Sequence, residues 1–336
     1  MIQGSTSGGL PGIPSFRNGM KPVASICKTV SPFIIREAAR SDIPQIIALA
    51  NSLYDYRRDE RFFVWQCFEN ANPAVLMIAE ENHAIVGMYG IQKMLTNTGL
   101  IGGQISWINI APHKQGTGLF DMMSQHAQSR FPELDFIFIF ANDAAVEACR
   151  RSLGMKFIGS LNRLILNNPS CAAAIESRCD PIDMDTEFNP PVSHADCHYF
   201  CRDDRYRRWR YAKSPVYRYY RMTTDRGASA VFKLFGQGAP SVPSIGDIVD
   251  FDCNLTDTAH LKHLFQTACG QLRQMGAETI TTWAVPTTPH EGILKEIGFI
   301  ESKHRSFFGI KVLHEQGSDL YNFAAWHLVQ SDATNY

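Results

Sequence analysis

The sequence has no apolar run approaching the roughly 20 residues needed to span a bilayer, and its opening stretch, MIQGSTSGGLPGIPSFRNGM, has neither the basic segment nor the apolar core of a secretory leader. These absences predict a cytoplasmic protein. Net charge is also nearly missing: 32 Lys and Arg against 33 Asp and Glu leave −1, so nothing global points to nucleic acid or an anionic surface as partner. The nine cysteines are scattered and odd in number, which suits reduced thiols rather than a disulfide framework. What remains is ordinary for a globular chain: 45% hydrophobic and 19% charged residues over 336 positions, enough for two domains and their cores.

Residues 1 to 31 are rich in Gly, Ser and Pro without periodicity and read as a flexible extension. Phe33 to Glu37 reads as a strand. Ser41 can cap a helix in which Ile43, Ile46, Ile47, Ala50 and Leu53 keep helical spacing, and a second helix is expected over Asp59 to Glu69. Ala74 to Ala79 and Ile85 to Tyr89 are apolar runs joined by Glu80-Glu81-Asn82-His83, a hairpin pattern.

From Ile105 to Arg130 a strand, a glycine-bearing turn and an amphipathic helix follow without a spare residue. Pro112 ends the strand, and Gln115-Gly116-Thr117-Gly118 is small enough for backbone N–H groups to close on a ligand. Leu119, Met122, Met123, His126 and Arg130 recur at steps of three and four, which predicts one inward face. The unpaired N–H groups and positive dipole end of the first turn suit a phosphate or pyrophosphate.

Strand, polar break, helix and Leu-Gly follow over Phe136 to Gly154, and a matching series runs from Thr279 to Phe299. Trp65 and Pro73 before two strands have counterparts in Trp209 and Pro215 before Tyr217 to Thr223 and Ala230 to Phe235. The chain therefore reads as a diverged duplication: 32 to 166, a linker at 167 to 194, and 195 to 336. The second copy runs from Asp247 to Cys253 through Asn254-Leu255-Thr256-Asp257 into the helix Ala259 to Met275, with no glycine in the turn. An aspartate there favours the helix and repels a phosphate.

These residues resemble the GNAT acyltransferase superfamily, whose signature is an aliphatic strand end, a Pro, and Gln or Arg followed by two positioned glycines at a helix start: here Ile110, Pro112, Gln115, Gly116 and Gly118. Asn142 and Leu153-Gly154-Met155 stand where that superfamily has an Asn and a Leu-Gly-Phe. Trp209-Arg210-Tyr211, Pro215, Tyr217, Trp326-His327-Leu328 and Ser331-Asp332 are similar to tandem members associated with bacterial polysaccharide or amino-sugar acylation. The resemblance implies an α/β (α+β) fold of two GNAT-like domains, each a mixed, mostly antiparallel twisted sheet flanked by helices. It implies acetyl-CoA or another acyl-CoA as co-substrate, held by Ile108, Ile110, Gln115, Gly116, Thr117, Gly118, Leu119, Phe120 and Asn142. It also implies transfer of a short acyl group to a primary amine, with an amino sugar as first expectation and an amino acid, polyamine or thiol-pseudodisaccharide amine as alternatives. The second domain would lack the phosphate loop. Two departures stand out: Phe120 occupies the last glycine-or-alanine position of the signature, and Arg150, with Cys149 beside it, stands where many relatives carry a tyrosine. These departures keep open a lapsed enzyme that binds acyl-CoA or nucleic acid.

An ammonium cannot attack, so a base or water chain is needed. Candidates by position are Asn142, Glu80 and Glu81, with His83 nearby; Asp55, Trp209, Arg210 and Tyr211 are expected on the acceptor side. His194, Cys197, His198 and Cys201 would form a helical stripe that cannot converge tetrahedrally, so no metal is expected. Arg202 to Arg226 interleaves eight arginines with aromatics, which suits either paired, core-facing side chains or a phosphate-bearing ligand.

Overall fold

The structure is a computed structural model that describes residues 33–53, 57–167, 178–188, 194, 196–235, 244–314 and 318–334. The N-terminal extension and Asp55 lie outside the described residues. In the first copy β1 is Ile34–Glu37, α1 Ile43–Leu53, α2 Glu60–Phe63, β2 Ala74–Glu81, β3 Ala84–Leu95, β4 Ile101–Ile110, α3 Leu119–Ser129, β5 Phe136–Ala141, α4 Asp143–Leu153 and β6 Lys156–Asn167. In the second, β7 is Arg178–Pro181, α5 Asp204–Arg207, β8 Tyr219–Thr223, β9 Ser229–Phe235, β10 Ile245–Asp252, α6 Thr258–Gln274, β11 Thr279–Ala284, α7 Pro289–Ile297 and β12 Ile300–Val312. β7 falls inside the stretch read as linker. None of the described helices is long and apolar enough to cross a membrane.

All twelve strands form one sheet in the order β1-β2-β3-β4-β5-β12-β6-β11-β10-β9-β8-β7. That order maps onto itself when each strand is exchanged for the one six places away, so the duplication is written into the topology as a pseudo-twofold about the β12/β6 pair. Only β4/β5 and β10/β11 are parallel. The copies also exchange their last strands: β6 pairs with β11 of the second copy, while β12 takes the place beside β5. Neither long strand is signalled by the sequence pattern that marks its neighbours.

The helices form where one face can be buried. In α1 the buried residues are Ile43, Ile46, Leu49 and Ala50, and the helix lies on β3 and β4. In α3 they are Leu119, Met123, Ser124 and Ala127. His126 and Arg130, expected on the inward face, are exposed, because the seam facing β2 and β3 follows the small residues Ser124 and Ala127. The β5 strand reads Phe136-Ile137-Phe138-Ile139 without alternation because it is covered on both faces.

The two copies are joined at matching places. Asp59 caps α2 and Asp203 caps α5, each accepting from the backbone three residues on. Both helices continue as wide π turns, Val64–Phe68 and Arg208–Ala212. From these turns Trp65 and Trp209 stack at 5.0 Å, and each indole N–H donates to the other's backbone carbonyl, at 2.9 and 3.0 Å.

Candidate acyl-transfer cleft

The parallel pairing of β4 with β5 covers only Gly102, Gly103 and Gln104 opposite Phe136, Ile137 and Phe138. Beyond that the strands part. On its other side β4 slips by one residue against β3 between Met88 and Gly90, and Trp107 sits there at φ 55, a conformation that costs a non-glycine residue energy and marks a bulge. A Cβ on Gly90 would come within 2.1 Å of the Trp107 ring, so the bulge depends on a glycine in the neighbouring strand.

The parting strands open a cleft of about 650 Å³ whose walls include Gln104 to Asn109 of β4, Ile139 to Ala141 of β5, Asn142 at the start of α4, Asn51 of α1, Arg58 before α2, Arg163 of β6 and Ser306 of β12. The Trp107 indole N–H and the Asn109 Oδ1 are buried without a hydrogen-bond partner. Among the described lining residues none is Asp, Glu or His.

At the end of β4 the chain turns through Pro112–Lys114 into the glycine loop. Gln115 donates from its side chain to the Ile110 carbonyl at 3.2 Å, and the Thr117 hydroxyl donates to Lys114 at 2.8 Å. Gly116 and Gly118 have φ of 77 and 81, the left-handed region where a side chain is strained. No atom lies within 4 Å of a Cβ built on either, so their approach side is open. The first helical bond comes from Met122 N–H to the Gly118 carbonyl, which leaves the N–H groups of the preceding turn for a ligand. Leu119 is buried, while Phe120 leans on Tyr89 with ring centroids 5.6 Å apart. Its bulk is directed into the core and not into the loop.

The remaining expected residues are scattered. Asn142 lines the cleft and caps α4, accepting from Ala145 N–H at 3.0 Å; its oxygen is committed to the helix and its NH2 is the group left for a ligand. Glu80 and Glu81 stand in the β2/β3 hairpin outside the cleft lining. Glu80 is paired with Arg36 at 3.1 Å and Glu81 with Lys114 at 2.6 Å, so each carboxylate holds a cation. Cys149 is buried and its thiol is pushed up to about 11, and Arg150 pairs with Glu147.

Trp209, Arg210 and Tyr211 are all buried and none lines the cleft. Arg210 donates to the Ala333 carbonyl at 2.7 Å and Tyr211 to Asp250 at 2.7 Å. Trp209 meets the first copy through Trp65, and the Arg210 guanidinium lies 5.9 Å from the centroid of that ring, whereas the hydrogen bonds of Arg210 and Tyr211 stay within the second copy. The arginine-rich segment follows suit: Arg202 pairs with Asp332 and Asp250, Arg207 with Asp252, Arg208 with Asp204, and Arg226 with Asp257.

Among the described residues from Asp196 to Cys201 there is a turn followed by isolated bridges and no helix. Phe200 bridges to Thr96 and His198 to Trp326, and no group of metal-binding side chains occurs among the described residues. Arg58, Arg163 and Ser306 escaped sequence reasoning altogether. They reach the cleft from three elements far apart in the chain, and no local motif marks them.

No protein-family model matches the chain, and no curated protein matches it by sequence. Solved structures do. A GCN5-related N-acetyltransferase from Anabaena variabilis is 13% identical with a TM-score of 0.62, over 84% of this chain and 73% of that one. A tandem GNAT protein from the clavulanic acid biosynthesis pathway is 13% identical with a TM-score of 0.57, over 85% of this chain and 100% of that one. The fold is that of a tandem GNAT protein. Saccharomyces cerevisiae N-myristoyltransferase with bound myristoyl-CoA is also similar, 9% identical with a TM-score of 0.55 over 84% of this chain and 83% of that one. In this tandem GNAT fold the splayed strands and glycine loop occur together in the first copy.

Proposed function

We propose that this chain transfers an acyl group from acyl-CoA to a primary amine of a small molecule, using the first copy as the cofactor site. The observation that carries the reading is the succession along one strand: β4 parts from β5 after Gln104, lines the cleft as far as Asn109 and leads through Pro112–Lys114 to Gln115 to Phe120, whose first-turn N–H groups have no helical acceptor. A pyrophosphate fits those groups and the helix dipole. Pantetheine would lie along Ile108 and Ile110, adding hydrogen bonds to the free edge of β4, and the Asn142 NH2 is in reach of its far side.

Backbone N–H groups at the Trp107 bulge would receive the thioester oxygen as it becomes an oxyanion. The free amine attacks the carbonyl carbon, the C–S bond breaks, and CoA leaves as the thiol or thiolate. A base or a chain of waters takes the ammonium proton. Juxtaposition of the two reactants supplies much of the acceleration.

The second copy serves the cleft through Ser306 of β12 and, from the C-terminal segment, Ala333 and Thr334. An amino sugar remains the first acceptor to test, with amino acids and polyamines beside it. Calorimetric titration with acetyl-CoA tests the cofactor site, and absence of binding to any acyl-CoA would sink the reading. Thiol release with an amine panel then separates an enzyme from a binding protein.

A further inference from the structure

The C-terminal segment belongs to the second copy by sequence and to both copies by contact. Gln104 of β4 donates from its side chain to the Asp332 carbonyl at 2.6 Å, and the Ser106 and Thr334 hydroxyls share a hydrogen bond at 3.0 Å. Gln66, in the wide turn after α2, donates to the Thr334 carbonyl at 3.4 Å. Gln104 and Ser106 are two residues apart and so lie on one face of β4. Asp332 and Thr334 keep the same interval, and the segment therefore runs in step with the strand.

Its other side is anchored within the second copy. Arg202 donates to the Asp332 carboxylate at 2.7 Å, and that carboxylate also accepts the Val329 N–H at 2.9 Å. Tyr206 donates to the Ser331 carbonyl at 3.0 Å and Arg210 to the Ala333 carbonyl at 2.7 Å. Arg210 and the pair Ser331-Asp332, picked out in the sequence, meet here.

The tie falls at a particular place. Gln104 is the last residue of β4 paired with β5, and beyond it the two strands leave their facing edges unpaired with each other. Strand edges gain by pairing, so a gap between them needs an edge that is held. In the second copy the matching residue, Asp247, accepts from the Thr281 hydroxyl of β11, across the strand pair. Gln104 is instead tied outside its pair, to the C-terminal segment, whose Ala333 and Thr334 line the cleft.

Resting on the acyltransferase reading, we infer that residues 329–334 form a strut that positions β4 for the reaction. Gln104, Ser106 and Thr334 are positioning residues that hold the strand where it parts from β5, and Asp332 acts through them. The second copy, with no glycine in its own turn, thereby sets one wall of the first copy's cleft.

Amide hydrogen exchange across β4 and β5 and calorimetric titration with acetyl-CoA test this on the wild type and on Ser106→Ala, Thr334→Val, Thr334→Ser and Asp332→Asn, with thermal melts as the folding check. Thr334→Val keeps the shape of the side chain and removes the hydroxyl. Exchange in residues 105–110 of β4 and 139–141 of β5 is expected to change in Ser106→Ala, Thr334→Val and Asp332→Asn. Slower exchange would show the edges pairing once released and faster exchange a strand set loose; either upholds the inference. Acetyl-CoA affinity should fall about 10-fold in the same three variants, the equivalent of one lost hydrogen bond. Thr334→Ser retains the tie and should match the wild type in both measurements. Wild-type exchange and affinity in the folded variants would overturn the inference, as would changes confined to the C-terminal segment or a loss in Thr334→Ser equal to that in Thr334→Val. Asp332→Asn takes the charge from a buried pair; should it fail to fold, Ser106→Ala and Thr334→Val carry the test. If the wild type binds no acyl-CoA, the acyltransferase reading falls by itself, and exchange in β4 and β5 alone decides the strut.

Discussion

The two copies share a scaffold and differ in what fills it. In each, the central parallel pairing lasts three residues before the strands part, and in each the inner strand slips by one residue against its antiparallel neighbour, at Trp107 in the first and Val249 in the second. In the first copy the gap is a cleft that leads to a glycine loop. In the second, the C-terminal segment packs on β10, with Val329 to Asp332 buried, Asp250 held by Tyr211, and Asp332 held by Arg202. The helix that follows is capped by Asp257, which accepts from His260 N–H and pairs with Arg226. Splayed strands are therefore common to both copies; what differs is whether the gap stays open and whether the helix start is capped by an anion of its own.

The comparison can be broken most strongly where the copies meet. Trp65→Ala and Trp209→Ala each remove half of one stacked, doubly hydrogen-bonded pair, so each should cost about 4 kcal/mol. Denaturant unfolding should give similar losses from the two, and a large inequality would show that the pseudo-twofold is not energetic. A second break exploits His290 of α7, fully buried and lowered to about 4 by burial. Its folded value lies below the unfolded one near 6.5, so the unfolded chain takes up the proton first. The stability that follows from keeping this ring neutral is full above pH 6.5 and is lost as pH falls to 4, by about 3 kcal/mol at most. His290→Gln should flatten the stability-versus-pH curve in that window, and an unchanged slope would assign the effect to other groups, His327 first, since its value is lowered as well.

Gly116→Asp sharpens the contrast between the loops. It puts a carboxylate at a positive-φ position facing the ligand side, and acetyl-CoA affinity should fall about 100-fold, equivalent to about 3 kcal/mol. Asn254→Ala, the matching change in the second copy, should leave affinity unaltered; equal effects would mean that both loops bind cofactor. The smallest expectation concerns Glu80→Gln and Glu81→Gln. Each removes a partly exposed ion pair outside the cleft, so turnover should stay within about twofold and stability within about 1 kcal/mol. A hundredfold fall in kcat would restore these carboxylates as catalytic groups.

Much of the skeleton is legible in the residues because its signals are local. The hairpin around Asn82 and His83, the start of α3 after Gly118 and the acid cap of α6 all fall within a residue or two of their expected positions. Repetition of such signals, Trp65 with Trp209 above all, discloses the duplication. Less of the candidate site is legible. The loop from Gln115 to Phe120 carries its own punctuation, but the hairpin acids and the Trp209 to Tyr211 motif, expected at the site, are paired and do not line the cleft. Their partners, Arg36, Lys114, Ala333 and Asp250, lie up to 123 residues away in the chain.

The sequence by itself determined which helix start can receive a phosphate, since that depends on two glycines and the absence of an acid within one turn. It also determined that the chain contains two versions of one unit. Tertiary structure alone decided that these units exchange β6 and β12, that the second gap is filled while the first stays open, and that Arg58, Arg163 and Ser306 meet around one cleft. The physical reason is range. Caps, turns and dipoles act over a few residues and leave a local imprint, whereas strand exchange and the lining of a cleft are sums over segments that only the packed sheet brings together.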